Sequence, residues 1–189
     1  MATEADASFD VLVIGAGFSG LYTLHRLREL GLRTRVLEMG ENVGGTWLYN
    51  RYPGARCDIE SIEYSYSFSD EIQQEWVWTE TMPAQPEVEA YLNFVADRLD
   101  LRRDIQFDTK VVAMAFDEQA AAWVVKTEAG EIIRVPFIVA ATGPVPPSAP
   151  PDPLWEPAGD TLSLDDTLSA PRIWFGLPQR THIGLDLKN

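Results

Sequence analysis

Cysteine is nearly absent from this 189-residue chain, which has only Cys57. One cysteine excludes an internal disulfide, a C-x-x-C redox pair and a cysteine-rich metal centre. No run approaches the 18 consecutive apolar residues of a membrane-spanning helix. The first residues, Met1-Ala2-Thr3-Glu4-Ala5-Asp6, lack the basic start and apolar stretch of a secretory leader, so the expectation is a soluble, cytoplasmic protein. Basic residues are scarce: 15 Lys and Arg stand against 29 Asp and Glu, for a net charge of −14. That balance argues against a nucleic-acid partner, which needs a basic face, and against adhesion to an anionic membrane. The two histidines, His25 and His182, have no neighbours in sequence that would make them ligands or bases. Length is not lacking: a chain of this size can bury roughly 70% of its unfolded surface in one core.

What is present begins with Gly15-Ala16-Gly17-Phe18-Ser19-Gly20, directly after the apolar run Val11-Leu12-Val13-Ile14 and before a helix-like segment. In this context the spacing fits a dinucleotide phosphate cradle. Gly15 turns the chain sharply off a strand, Gly17 lets backbone N–H groups approach a pyrophosphate, and Gly20 lets helix and strand pack closely. The phosphate then sits at the positive end of the helix dipole, where Ser19 adds a hydroxyl donor. Arg35-Val36-Leu37-Glu38 reads as a second strand ending in an acid 18 residues after Gly20. Glu38 is thereby placed to accept from ribose hydroxyls, and its charge disfavours a 2′-phosphate, so this first site favours FAD or NAD over NADP.

The opening forty residues read strand, helix, strand: Phe9 to Ile14, about Gly17 to Leu30, and Arg35 to Glu38, with Gly31 as the helix stop. Residues 40–56 read as a long loop, a second helix is expected over Pro86 to Leu99, and Ile105–Phe107, Lys110–Phe116, Ala122–Thr127 and Glu131–Val135 read as strands of a β-meander. Phe137 to Ala141 reads as a buried strand running into Thr142-Gly143. Tyr64, Tyr66, Phe68, Trp76 and Trp78 alternate as packed strands do, so they are expected in the core. Cys57 is expected to be a small buried hydrophobe, and His25 a packing or surface residue. Seven of the fourteen residues from Pro144 to Pro157 are proline, which admits neither helix nor central strand.

Past Glu38 the sequence becomes specific: Gly44-Gly45-Thr46-Trp47, then Arg51-Tyr52-Pro53-Gly54-Ala55-Arg56-Cys57-Asp58-Ile59-Glu60-Ser61, then Tyr64-Ser65-Tyr66-Ser67-Phe68, Gln74-Glu75-Trp76 and Phe94-Val95-Ala96-Asp97-Arg98. From Phe9 to Gly143 the chain resembles the N-terminal part of Baeyer–Villiger monooxygenases of the cyclohexanone and phenylacetone type, within the flavin-containing monooxygenases. The resemblance implies an α/β Rossmann-type FAD-binding domain with a parallel sheet, inserted helices and a small antiparallel meander, spanning residues 1–143. It implies extended FAD, with its pyrophosphate at Gly15, Gly17, Phe18, Ser19 and Gly20, its ribose on Glu38, and its flavin end near Gly45, Thr46 and Trp47. Tyr64 and the Val111 backbone resemble further FAD contacts. Asp58 resembles the active-site aspartate beside the isoalloxazine, although an aspartate in that context also suits a helix cap before Ile59. Arg56 and Cys57 lie where the nicotinamide cofactor approaches.

The chemistry implied is the flavin's: NADPH reduces FAD, O2 adds to give a peroxyflavin, and a ketone becomes an ester or lactone. In the family an arginine from a second domain is oriented by the aspartate matching Asp58. Residues 144–189 resemble nothing in the family and contain no second G-x-G-x-x-G, so the NADPH-binding and substrate domains are expected to be missing from this chain. Residues 144–189 are expected to form an irregular tail. The alternative expectation is a non-catalytic FAD-binding fragment arising by truncation or a shifted reading frame near residue 143, self-associating through uncovered apolar surface.

Overall fold

The computed structural model describes residues 9–143 in full and the backbone of two short strands, β1 (Glu4–Ala5) and β9 (Ile173–Phe175). Val11–Ile14 forms β2, and all four of its residues are buried, as expected for a strand covered on both faces. Because successive side chains alternate, Val11 and Val13 face one core while Leu12 and Ile14 face another.

A crossover through α1 (Phe18–Glu29) leads to β3 (Thr34–Leu37), which runs parallel to β2. Gly31 stops α1 with φ +73, its N–H donating to the Arg28 carbonyl while that of Leu32 reaches Leu27, the left-handed C-terminal cap that glycine favours. Residues 40–56 hold a short helix, α2 (Thr46–Tyr49), inside the stretch expected to be loop. Next come α3 (Asp70–Glu75), capped by Ser69, and α4 (Gln85–Arg98), which carries Pro86 in its first turn. The expected α4 boundaries differ by one residue at each end.

β4 (Ile105–Gln106) was expected in the meander but pairs parallel with β3 instead. Two residues carry too little pattern to show their partner. The meander itself is β5 (Val111–Asp117), β6 (Ala122–Thr127) and β7 (Ile132–Val135), antiparallel throughout, with β1 alongside β7. β8 (Phe137–Ala140) then returns to lie parallel beside β2, and β9 beside β8. The main sheet has the order β4-β3-β2-β8-β9. Ile173–Phe175 thus forms a strand within the segment expected to be irregular; the other residues of 144–189 lie outside the described ones.

Three layers result. Leu21 and Leu24 of α1 and Val88, Tyr91, Leu92 and Val95 of α4 pack on one face of the main sheet; Trp123, Val125, Ile133 and Val135 of the meander cover the other. Tyr64, Tyr66, Phe68, Trp76 and Trp78 join the helical core as expected, but from turns and loop rather than strands. Their rings meet in tilted and edge-on pairs, such as Trp78 with Tyr91 at 4.9 Å between centroids. No helix follows Asp58, so that residue caps none. Among the described residues no helix is long and apolar enough to cross a membrane.

Candidate functional site

The main sheet reverses its strand order at β2: the chain moves to β3 on one side and returns as β8 on the other. In such sheets a crevice opens at the carboxyl ends of the strands flanking the reversal. Three backbone bonds close this end: Gly15 N–H to Leu37 O (2.8 Å), Ala141 N–H to Ile14 O (2.9 Å) and Glu38 N–H to Gln106 O (2.9 Å). Above them lies a cavity of about 590 Å³.

Its floor is the glycine turn. Gly15 has φ +102, and a Cβ there would lie 2.6 Å from the Ala141 carbonyl oxygen. At Gly20 the approach is closer still, since a Cβ would fall 1.9 Å from the Gly15 carbonyl oxygen. Gly20 is buried and is not among the residues that line the cavity; its contact with the Gly15 carbonyl serves the close packing of α1 on the turn after β2. Gly17, Phe18 and Ser19 line the cavity at the start of α1. No side chain caps that helix and no acid lies in its first turn, so its positive end and first amides are left for something else.

Glu38 lines the cavity with only 4% of its surface exposed. Its Oε2 accepts from the Ala16 amide (2.6 Å), and Oε1 from the Gly40 amide (2.8 Å) and the Tyr49 hydroxyl (3.2 Å). Burial, and then the Glu38 charge, push the Tyr49 hydroxyl up to about 12, so it remains a neutral donor. Gly45, Thr46 and Trp47 form the next wall. The Trp47 indole N–H donates to the Tyr64 hydroxyl (2.9 Å), and the two rings stand edge-on at 5.6 Å. Gln85, buried at the head of α4, donates to the Trp47 carbonyl, while its own amide donates to Ala55 (2.9 Å). Asp58 lines the cavity at an exposed position, and Val111 lines it from β5.

Arg56 is not brought in: it pairs with Glu80 (2.5 Å) and donates to the Met82 carbonyl (2.6 Å) outside the cavity. Cys57 is buried, and burial raises its thiol pKa, the behaviour of an inert packing residue. Of the lining residues the sequence reading passed over, Ala141, Thr142 and Gly143 follow β8 directly; the rule placing ligands at strand carboxyl ends could have named them. Tyr49, Ile59 and Thr109 carry no comparable signal. Among the described residues no three His, Cys, Asp or Glu side chains group as a metal site.

Comparison with known proteins adds relatives to this geometry. The family of NAD(P)-binding Rossmann-like domains matches residues 13–74. An acetone monooxygenase (methyl acetate-forming) of Gordonia sp. is 45% identical over 136 residues, 72% of this chain and 26% of that protein. A Baeyer–Villiger monooxygenase of Pseudooceanicola batsensis is 47% identical over 138 residues, 72% of this chain and 25% of its own length. Among solved structures, an oxidized steroid monooxygenase bound to NADP superposes with a TM-score of 0.73 at 53% identity, covering 76% of this chain and 27% of that one. The chain thus spans about a quarter of the length of these relatives.

Proposed function

Since the chain is a homologue of the Baeyer–Villiger monooxygenases over 72% of its length, we propose that it holds FAD in the cavity at the ends of β2, β3 and β8. The observation that carries this is the uncapped start of α1 opening beside Glu38 into that cavity. The pyrophosphate would sit on the amides of Gly17, Phe18 and Ser19, with the Ser19 hydroxyl as a further donor. A carboxylate offers about four lone-pair sites. Ala16, Gly40 and Tyr49 use three on Glu38, which leaves one for a ribose hydroxyl. Gly45, Thr46 and Trp47 would flank the flavin end, with Tyr64 fixing the indole and the Val111 backbone closing the other side. A volume of about 590 Å³ lies within the usual range for cofactor sites.

Bound FAD would supply the redox chemistry, which in this reading is NADPH- and O2-dependent conversion of a ketone to an ester or lactone. The chain's own contribution is binding and orientation. Asp58, at the exposed rim, would hold an arginine contributed by the part of the monooxygenase fold that this chain does not span. Because only about a quarter of the relatives is matched, a second reading is an FAD-binding module without turnover. FAD titration of the purified chain, followed by a search for ketone-dependent ester with NADPH, tests both. Binding with ester formation supports the enzyme, binding with hydrogen peroxide alone supports the module, and no binding sinks both.

A further inference from the structure

The wall that α2 gives to the cavity is a helix of one turn, Thr46–Tyr49, with no side-chain cap at its start. So short a helix does not hold itself in water, and its last four carbonyls, here all of them, find no partner within it. The Asn50 and Arg51 amides donate to the Thr46 (2.9 Å) and Tyr49 (3.1 Å) carbonyls. The two between are met by side chains: Gln85 Nε2 donates to the Trp47 carbonyl, and Arg51 Nε to that of Leu48 (2.9 Å). Both donors end on one acid. Glu89 accepts from Gln85 Nε2 on Oε2 (2.7 Å) and from the Arg51 guanidinium on Oε1 (2.6 Å).

We propose that Glu89 is a positioning residue for the cavity, fixing the Trp47 and Leu48 carbonyls through Gln85 and Arg51 and thereby seating the Trp47 indole at the flavin end. This rests on the reading of the cavity as an FAD site. None of Glu89, Gln85 and Arg51 lines the cavity, so the acid acts only through α2. Gln85 is buried, and because both its partners are acceptors its amide has to present the NH2 group to them. The Glu89 side chain is 17% exposed and stands on α4, which Val88, Tyr91, Leu92 and Val95 seat in the core. A rigid element therefore carries the hub of the clamp. An ion pair with an arginine as exposed as Arg51 contributes little by itself. What this one supplies is direction, since the same guanidinium also holds the Leu48 carbonyl. The glycine turn and the Ala16 and Gly40 amides on Glu38 lie outside the clamp, so its loss should be felt at one end of the ligand.

The test labels the full chain with 5-fluorotryptophan at its six tryptophans and assigns the Trp47 fluorine resonance by its loss in Trp47→Phe. Glu89→Met should shift or broaden that resonance and leave Trp123, in the meander, where it was. By calorimetry the same variant should bind FAD severalfold more weakly and ADP, which has the ribose and pyrophosphate but no flavin, as the unaltered chain does. Glu89→Gln should behave like Glu89→Met, because one carbonyl oxygen cannot accept from both donors. Arg51→Met, at an exposed position, provides a second route should Glu89→Met not fold, and should move the Trp47 resonance in the same direction. A Trp47 resonance indifferent to the Glu89 and Arg51 variants overturns the proposal. So does a parallel loss of FAD and ADP binding with Trp123 shifted as well, which would mean general loosening. If the unaltered chain binds ADP or nothing but never FAD, the FAD reading fails by itself, and the Trp47 resonance alone supports or overturns the clamp.

Discussion

The Glu38 carboxylate accepts a 2.6 Å hydrogen bond from the amide of Ala16, 22 residues earlier in the chain. The acid at the end of β3 thus ties down the glycine turn after β2, and with Gly40 and Tyr49 it draws three segments around one buried charge. Its role is structural before any ligand arrives.

Glu38→Ala should therefore destabilise the chain even without FAD, because two backbone donors lose their acceptor. The expected loss is about 1–3 kcal/mol. Glu38→Gln should recover only part of it, since its one carbonyl oxygen cannot serve both Ala16 and Gly40. Urea unfolding of FAD-free protein checks this; a Glu38→Ala midpoint equal to wild type would show that the contacts contribute nothing.

Two glycines separate close approach from backbone conformation. A Cβ at Gly20 would lie 1.9 Å from a backbone oxygen, whereas at Gly31 it would meet nothing within 4 Å but φ is +73. Gly31→Ala should cost about 1–2 kcal/mol from the left-handed backbone alone. Gly20→Ala must move α1 off β2, and is expected to yield little folded protein and no FAD binding. Comparable melting of the two variants would mean that α1 can shift more easily than this packing implies.

What the sequence made legible follows from how local each signal is. Gly15, Gly17 and Gly20 after Val11–Ile14, with Glu38 beyond, identified the βαβ unit because chain reversal and phosphate approach constrain neighbouring residues. Ala122–Thr127 was read to the residue, since Trp123, Val125 and Thr127 alternate inward. Ile105–Gln106 was misplaced because pairing with β3 is a long-range fact about two residues. The alternating aromatics from Tyr64 to Trp78 suggested strands because their spacing mimics a pleat, yet turns deliver the same rings to the core. Tyr49 was missed at the site because its bond to Glu38 depends on α2 folding back over β3.

Stability should depend on pH near His25. Burial lowers its pKa below the ordinary value of 6.5, against the opposing pull of Glu29. The unfolded chain then holds more protons than the folded one in the window just below 6.5, so stability rises with pH through that window and levels above it. His25→Gln should flatten this segment of the melting-temperature profile. The effect is separable from Asp10 and Glu75, whose arginine partners lower their pKa values. Their stabilisation is present above the ordinary carboxylate range and is lost as pH falls through their lowered values. A His25→Gln profile as steep as wild type below pH 6.5 would assign the slope to other groups.

Ligand binding and fold stability are linked through the same turn. If FAD binds only the folded chain, a concentration one hundred times its dissociation constant adds about 2.7 kcal/mol. For a domain of this size that raises the melting temperature by roughly 5–10 °C. Tyr64→Phe should keep most of that shift while weakening the flavin end, because the Trp47 indole loses its acceptor but the Gly15–Gly20 turn is untouched. Glu38→Ala should lose most of the shift, since both the turn and the ribose partner go. Differential scanning fluorimetry with and without FAD, read by tryptophan emission to avoid flavin interference, separates the cases. A wild-type melting temperature indifferent to FAD would remove the cofactor from this cavity and leave Glu38 with its structural role alone.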